Sequence, residues 1–130
     1  MKYIEQRYLI KAKPEKVWDA LVNPKTIEKW GGGSAKMQGK VGFEFSLWGG
    51  DIYGKNLEVE NPPTGAKKLV QEWYGGEWEL PSIVTFKLNT SNGYTEVILQ
   101  HKDVPKDEVK SIAEGWRDYY LGPLKKLLES

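Results

Sequence analysis

Residues 104–128 read VPKDEVKSIAEGWRDYYLGPLKKLL. Their apolar side chains recur at gaps of three and four residues, at Val109, Ile112, Ala113, Trp116, Tyr120, Leu124, Leu127 and Leu128. This spacing predicts an amphipathic α-helix, which from Asp107 to Leu128 would be about 33 Å long. A stripe of that length needs an apolar surface to pack against, so the rest of the chain must supply one.

Two residues interrupt the helical pattern. Gly115 costs about 0.5–1 kcal/mol relative to alanine in a helix interior, which the close approach of a strand or a ligand would explain. Pro123 lacks an N–H and clashes with the carbonyl of Tyr119, so we expect a kink there. The alternative is a helix that ends at Leu121 and is followed by a short one.

The preceding residues predict mainly strands. In order, we expect a strand at 3–12, helices at 14–21 and 25–30, a flexible Gly-rich loop at 31–34, and strands at 41–48, 52–60, 68–74, 83–89 and 94–102. Asn92-Gly93 is a strong hairpin signal between the last two. We therefore predict an α+β fold in which a curved antiparallel sheet wraps around the C-terminal helix.

The amino-acid composition excludes several classes of function. The 130 residues suit a single domain, and a formal charge of +1 argues against a dedicated nucleic-acid binder. Cysteine is absent, which excludes disulfides, thiolate nucleophiles and Cys-ligated metal. The start has no apolar signal segment and no run is long enough to span a membrane, so we predict a cytoplasmic protein.

The element order and several motifs resemble the helix-grip fold of the START-like superfamily, also called Bet v-like or SRPBCC. Within it, the chain is similar to the family of the C-terminal domain of the activator of the heat-shock protein 90 ATPase. The similarity is carried by the segments 12–18, 27–30 and 42–54, by Trp73, Trp78 and Pro81, and by Val104-Pro105, Gly115-Trp116, Tyr119-Tyr120 and Pro123-Leu124.

The resemblance implies the fold and a non-enzymatic, stress-related role beside a heat-shock protein 90-class chaperone. The eukaryotic co-chaperone that the chain resembles also has a separate N-terminal chaperone-binding domain, for which 130 residues leave no room. Because a fold does not by itself determine a function, the individual candidate residues must be examined.

Aromatic residues are the main candidates for a site. A sheet that grips a helix with large inward side chains often leaves an apolar cavity, the usual form of a small-molecule site. The alternative is a core that these side chains fill. Lys55 alternates in phase with Tyr53, so it either offers a charge to an anionic ligand or extends outward into solvent. The candidate ligand-binding residues are Trp30, Phe45, Tyr53, Lys55, Trp73, Trp78, Phe86, Trp116 and Tyr120.

Catalytic and cofactor signals are weak. His101, the only histidine, is expected at a partly exposed strand end, and with Asp103 alone it makes a poor zinc site. Glu72, Glu77 and Glu79 are expected to be solvated, and no glycine pair has the context of a phosphate loop. Gly31–Gly33 after Trp30 would suit a mobile lid. We predict no catalytic residues, no metal and no cofactor.

Three hypotheses follow. The preferred one is a non-enzymatic domain that binds a small hydrophobic or amphipathic molecule between the long helix and the sheet. The second is a chaperone-interaction module that stimulates the ATPase of a heat-shock protein 90-class chaperone. The third is an enzyme of the same fold, with Glu72, Lys55 or His101 as its titratable group. We expect a monomer or a weak dimer.

Overall fold

The computed structural model describes residues 2–76 and 78–130. Its strands are β1 (Lys2–Ile10), β2 (Glu44–Leu47), β3 (Ile52–Glu60), β4 (Lys67–Gly75), β5 (Ser82–Ser91) and β6 (Tyr94–Val104). Its helices are α1 (Pro14–Val22), α2 (Pro24–Trp30), α3 (Val109–Gly115) and α4 (Leu121–Glu129). Short 3₁₀ turns at Trp48–Gly50 and Lys106–Glu108 join some of these elements. The order is the one that the sequence predicts.

The strands form one antiparallel sheet in the order β1-β6-β5-β4-β3-β2. The predicted β5–β6 hairpin is confirmed, and Asn92 and Gly93 both adopt positive φ, as a two-residue type I′ turn requires. Together with the early helices and the C-terminal helical segment, this is the α+β helix-grip fold. None of the helices in the described ranges is both long and apolar enough to cross a bilayer.

The C-terminal segment packs on the sheet mainly through its second half. Trp116, Tyr120, Leu121 and Leu124 are buried, as expected for the helix that the sheet grips. In contrast, α3 contains no buried residue, and its apolar side chains, such as Ile112, are only partly covered. An amide hydrogen bond from Gln6 Nε2 to the carbonyl of Ala113 (2.9 Å) connects α3 to β1. The first half of the segment therefore stands partly away from the sheet.

A π-helical turn at Trp116–Tyr120 separates α3 from α4. The Leu121 N–H bonds the carbonyl of Trp116, five residues earlier, and a Cβ at position 122 would collide with the carbonyl of Arg117. The irregularity lies in the turn before Pro123, where the missing N–H removes one helical hydrogen bond. A wider turn is thus present before Pro123, and the helical segment does not end at Leu121, while a bend of its axis stays a prediction.

Two local predictions are wrong. Val41 lies in a turn and is 65% exposed, because β2 begins only at Glu44. Trp48 does not continue that strand either: its φ of 50° turns the chain into the 3₁₀ turn. A bulky residue rarely adopts this conformation, so the surrounding contacts must hold it there.

Candidate functional site

A cleft lies where α3 stands away from the sheet, and it consists of two adjoining cavities. The Trp48 cavity, of about 350 Å³, is lined by Trp48, Ile52, Trp73, Ile112, Gly115, Trp116, Tyr119 and Tyr120. The Trp78 cavity, of about 470 Å³, is lined by Ile52, Trp73, Gly75, Gly76, Trp78, His101, Glu108 and Ile112. Three residues are common to both walls, so the two spaces run side by side beneath the helix.

Trp48 is fixed at one end of the cleft by the glycine-rich turn that follows α2. Its indole N–H donates to the carbonyl of Gly31 (2.7 Å), and its backbone N–H donates to the carbonyl of Gly32 (2.7 Å). A Cβ at Gly32 would collide with the side chain of Ile27, and one at Gly33 would lie 2.8 Å from the Cα of Trp48. In this structure Gly32 and Gly33 are packed closely and the turn holds Trp48 in place, while its role as a mobile lid stays a prediction.

The inner wall of the Trp48 cavity is aromatic. The rings of Trp73 and Trp116 stack with centroids 4.8 Å apart and planes 27° apart. The Tyr120 ring lies 4.7 Å from that of Trp116 and 4.5 Å from that of Trp30. None of the residues that line this cavity carries a formal charge. The wall of the cavity is thus apolar and aromatic, and it offers an ionised group no opposite charge to offset the loss of hydration.

The indole of Trp116 belongs to a buried chain of hydrogen bonds. Its Nε1–H donates to Nδ1 of His101 (3.0 Å), and Nε2 of His101 lies 2.7 Å from Oγ of Ser82. Because an indole N–H is only a donor, Nδ1 must accept, and the imidazole proton must reside on Nε2. Ser82 then accepts from His101 and donates to the carbonyl of Trp73 (3.1 Å). Every member is paired only if the imidazole is neutral.

The expectation of a partly exposed His101 is wrong, because its side chain is fully buried. β6 does not end at residue 102 but continues to Val104, and at His101 it is flanked by Ile4 of β1 and Val84 of β5. Burial lowers the pKa of His101 to about 4. The histidine is therefore a neutral structural link between the sheet and the helix.

A second buried chain fixes the other indole of the stack. Trp73 Nε1–H donates to Oε1 of Gln71 (2.8 Å), and Nε2 of Gln71 donates to Oδ1 of Asn56 (3.0 Å). The Asn56 amide in turn donates to the carbonyls of Gln38 (2.8 Å) and Lys40 (3.0 Å). The position of Trp73 is thus coupled to the loop before β2.

The Tyr120 hydroxyl is different from these paired groups. The side chain is 2% exposed, and within the described part of the chain its hydroxyl is the one buried side-chain polar atom with no hydrogen-bond partner. Burial raises the pKa of this phenol, so it stays protonated and neutral. An unpaired buried polar group of this kind costs about 1–3 kcal/mol.

The structure brings only some of the predicted ligand-binding residues together around the cleft. Trp73, Trp116 and Tyr120 line the Trp48 cavity, and Trp73 and Trp78 line the other one. The remaining inward residues are buried in the core behind these walls, namely Trp30, Phe45 and Phe86. Phe86 packs edge-on against the ring of Trp116, with centroids 5.7 Å apart.

Tyr53 does not face inward as predicted, and of the two alternatives for Lys55 the outward one is observed. Both are exposed on the outer face of β3, where Tyr53 stacks on Tyr74 of β4 with centroids 5.2 Å apart. The inner face of β3 instead carries Ile52 and the buried Asn56. Alternation alone gave the wrong face because apolar side chains occur on both sides of this strand.

Several wall residues were not predicted. Trp48 is absent from the predicted set because the alternating pattern extends the strand to it, on the outer face. Ile52 is absent because the same pattern favours the opposite face of β3. Ile112 and Gly115 were on the helical pattern, and Gly115 proves not to be explained by a strand, since a Cβ there meets no atom within 4 Å. The inward alternation of Val97, Leu99 and His101 along β6 is a signal that would have placed the histidine correctly.

The described members of the predicted carboxylate group, Glu72 and Glu79, are not among the residues that line the cleft. Glu72 lies opposite Lys55 on the outer face of the β3–β4 pair, and Glu79 is exposed. Glu77, the third carboxylate of that predicted group, lies outside the described residues. Across residues 2–76 and 78–130, no three His, Cys, Asp or Glu side chains cluster in a way that would hold a metal ion. One exposed carboxylate, Glu108, accepts a hydrogen bond from the indole of Trp78 (2.9 Å) at the rim.

Solved structures share this architecture over nearly the whole chain. An HSP90 activator from Plasmodium falciparum superposes with a TM-score of 0.86 at 24% identity, covering 98% of this chain and 96% of that one. The Aha1 dimer from Colwellia psychrerythraea gives a TM-score of 0.81 at 26% identity, with 99% and 97% covered.

Curated relatives match across most of this chain but are much longer. An activator of 90 kDa heat shock protein ATPase homolog from Dictyostelium discoideum is 27% identical over 86% of the chain and 29% of its own length. The human activator homolog 1 is 21% identical over 87% of the chain and 33% of its own length. The chain thus spans about a third of these relatives.

The match that decides classification covers residues 11–129. This range includes both early helices, strands β2 to β6 and the whole helical segment that bounds the cleft, and it begins just after β1. The protein belongs to the family described as Activator of Hsp90 ATPase homolog 1-like protein.

Proposed function

We propose that this protein is a non-enzymatic domain that binds a small apolar or amphipathic molecule in the cleft between α3 and the sheet. The observation that carries the proposal is the uncovered inner side of α3. No α3 residue is buried, and the Trp48 cavity, with its uncharged aromatic wall, lies beneath it. A partly apolar cavity with few polar groups is the usual form of a small-molecule site.

The chemistry of the walls favours binding over reaction. The histidine that bonds the aromatic wall, His101, has both ring nitrogens engaged in hydrogen bonds. Glu72 and Lys55 lie on the opposite face of the sheet. A general acid or base needs a free position next to the reacting atom, and these groups do not provide one.

Filling the cavity tests the proposal directly. Gly115 has helical backbone angles and open space in front of it, so Gly115→Leu places a side chain in the cavity without displacing an existing one. The matched control is Lys110→Leu, which adds the same side chain on an exposed position of α3. A panel of neutral naphthalene derivatives and fatty acids is titrated while the indole and backbone N–H shifts are followed.

We expect shifts at Trp73 and Trp116 in the native protein and in Lys110→Leu, and at least tenfold weaker binding by Gly115→Leu. Equal binding by all three proteins would place any bound molecule elsewhere. An absence of shifts at both tryptophans with every compound in the native protein would contradict the proposal.

A second candidate function is stimulation of the ATPase of a heat-shock protein 90-class chaperone. It is supported by family membership and by the names of the longer relatives. An ATPase assay with the chaperone of the source organism tests it, and no stimulation at excess protein would reject it. Because docking would use the surface, Gly115→Leu is expected to stimulate as well as the native protein, which separates this function from ligand binding.

A further inference from the structure

We propose that the Tyr120 phenol is the polar anchor of the cleft and selects flat, neutral ligands that carry a hydrogen-bond acceptor such as a ketone oxygen. This inference rests on the ligand-binding function proposed above and specifies its chemistry. It follows from four features of the Trp48 cavity: which polar groups remain available, the shape of the walls, the absence of charge and the geometry of the helix.

The available polar groups are found by elimination. Three indoles line the cavity, and each N–H already has a partner: Trp48 donates to Gly31, Trp73 to Gln71 and Trp116 to His101. Tyr119 is 69% exposed and therefore hydrated. The Tyr120 hydroxyl alone combines burial with the lack of a partner among the described residues.

The orphan hydroxyl indicates a missing partner. Leaving a buried donor unpaired is costly, and such groups in native proteins usually have an unobserved partner or a functional role. Tyr120 forms part of the wall of the Trp48 cavity, and its hydroxyl is closed off from solvent, so a ligand reaches it by displacing the side chains that cover it. Since the phenol is protonated, it can donate to an acceptor on the ligand.

The walls select a flat and neutral molecule. The Trp73 and Trp116 rings stack on each other and border the cavity, and Trp48 contributes a third ring to the wall. A planar ligand gains most from such surfaces through offset stacking or edge contacts. An ionised ligand would lose its hydration without meeting an opposite charge on the cavity wall.

The local helix geometry supports a functional reading of Tyr120. The residue ends the π-helical turn Trp116–Tyr120 and has unusual backbone angles, with φ −119° and ψ −83°. Single π-helical turns occur frequently at functional sites because they redirect side chains. Here the turn brings Trp116 and Tyr120 to the same aromatic wall, with ring centroids 4.7 Å apart.

The test compares a ketone with a hydrocarbon of the same shape in native protein and in Tyr120→Phe. The ligands are acetylnaphthalene and the matching isomer of isopropenylnaphthalene, in which a CH2 group replaces the acceptor oxygen on the same planar carbon. Because the substitution removes a hydroxyl that has no partner, we expect the free variant to be at least as stable as the native protein. Binding is measured by tryptophan fluorescence and located by the indole N–H shifts of Trp73 and Trp116.

We expect Tyr120→Phe to bind the ketone about fivefold more weakly and the hydrocarbon unchanged, the effect of one net hydrogen bond. In native protein the bound ketone should also show a carbonyl infrared band shifted to lower frequency, a measurement that needs no variant. Equal affinity of the variant for the ketone, or an unshifted band, would overturn the anchor while leaving the proposed function intact. Failure of both ligands to bind native protein would instead reject the proposed function.

Discussion

Trp116 and His101 are joined by a buried hydrogen bond of 3.0 Å from the indole Nε1 to the imidazole Nδ1. The bond links the C-terminal helical segment to β6, an inner strand of the sheet. It also fixes the protonation state, because a protonated imidazole would present an N–H to another N–H. The helix and sheet are thus held together by a contact that only a neutral histidine can make.

The first prediction concerns acid stability. The folded pKa of His101, about 4, lies below its unfolded value of 6.5, so between these values the unfolded chain takes up a proton that the folded chain does not. The contribution of neutral His101 to the free energy of unfolding is complete above the pKa of the unfolded chain. It is lost as the pH falls towards the pKa of the folded protein. We expect a loss of about 2 kcal/mol between about pH 7 and pH 5.

Urea unfolding at several pH values in this window measures the loss while most carboxylates remain ionised. Since His101 is the only histidine, its ring-proton resonance reports its pKa without ambiguity. A midpoint close to 6.5 in the folded protein would contradict the buried neutral state.

The second prediction concerns the far end of the same chain of hydrogen bonds. Ser82→Ala leaves the Nε2–H of His101 and the carbonyl of Trp73 without their hydroxyl partner. We expect a loss of about 1–3 kcal/mol in the free energy of unfolding. The control is Ser34→Ala at an exposed position, which should change stability by less than about 0.5 kcal/mol. Equal effects of the two substitutions would show that the buried chain does not stabilise the fold.

The third prediction contrasts two glycines. A Cβ at Gly54 would collide with the carbonyl of Glu72 on the neighbouring strand, so Gly54→Ala must separate β3 from β4 and should cost about 2 kcal/mol or more. Gly115→Ala meets no neighbour and adds a better helix former, so we expect a gain of up to about 1 kcal/mol. Thermal unfolding of both variants provides the measurement, and a destabilised Gly115→Ala would show that the space beside α3 is not open.

The fourth prediction concerns Asn56, which is 1% exposed and links β3 to both Gln71 and the loop before β2. Asn56→Ala leaves these buried groups unpaired and should lower stability by about 1–3 kcal/mol. It should also speed hydrogen exchange of the Gly42 N–H, which donates to the carbonyl of Asn56. Asn89→Ala, at a half-buried position of β5, is the control, and unchanged exchange at Gly42 in both variants would contradict the coupling.

Much of the site was within reach of sequence reasoning where local pattern and burial coincide. The helical spacing identified Trp116 and Tyr120 as inward residues, and both are buried. Strand alternation was less informative. In β3, apolar side chains occur on both faces, so the pattern does not identify the inner one. In β6, the strand extends beyond the predicted end at residue 102, so His101 is not at its exposed end. The hydrogen bonds of Trp48 to the Gly31–Gly32 turn join residues that are distant in sequence, so no local pattern indicates them.

The sequence by itself determined the order of the elements, the tight Asn92-Gly93 turn and the apolar stripe of the last helical segment, because these depend on neighbours a few residues apart. Only the tertiary structure decided that α3 stands away from the sheet, that His101 is neutral and that the Tyr120 hydroxyl lacks a partner. Those properties depend on which distant side chains meet in the interior, where the loss of water makes each unpaired polar group costly.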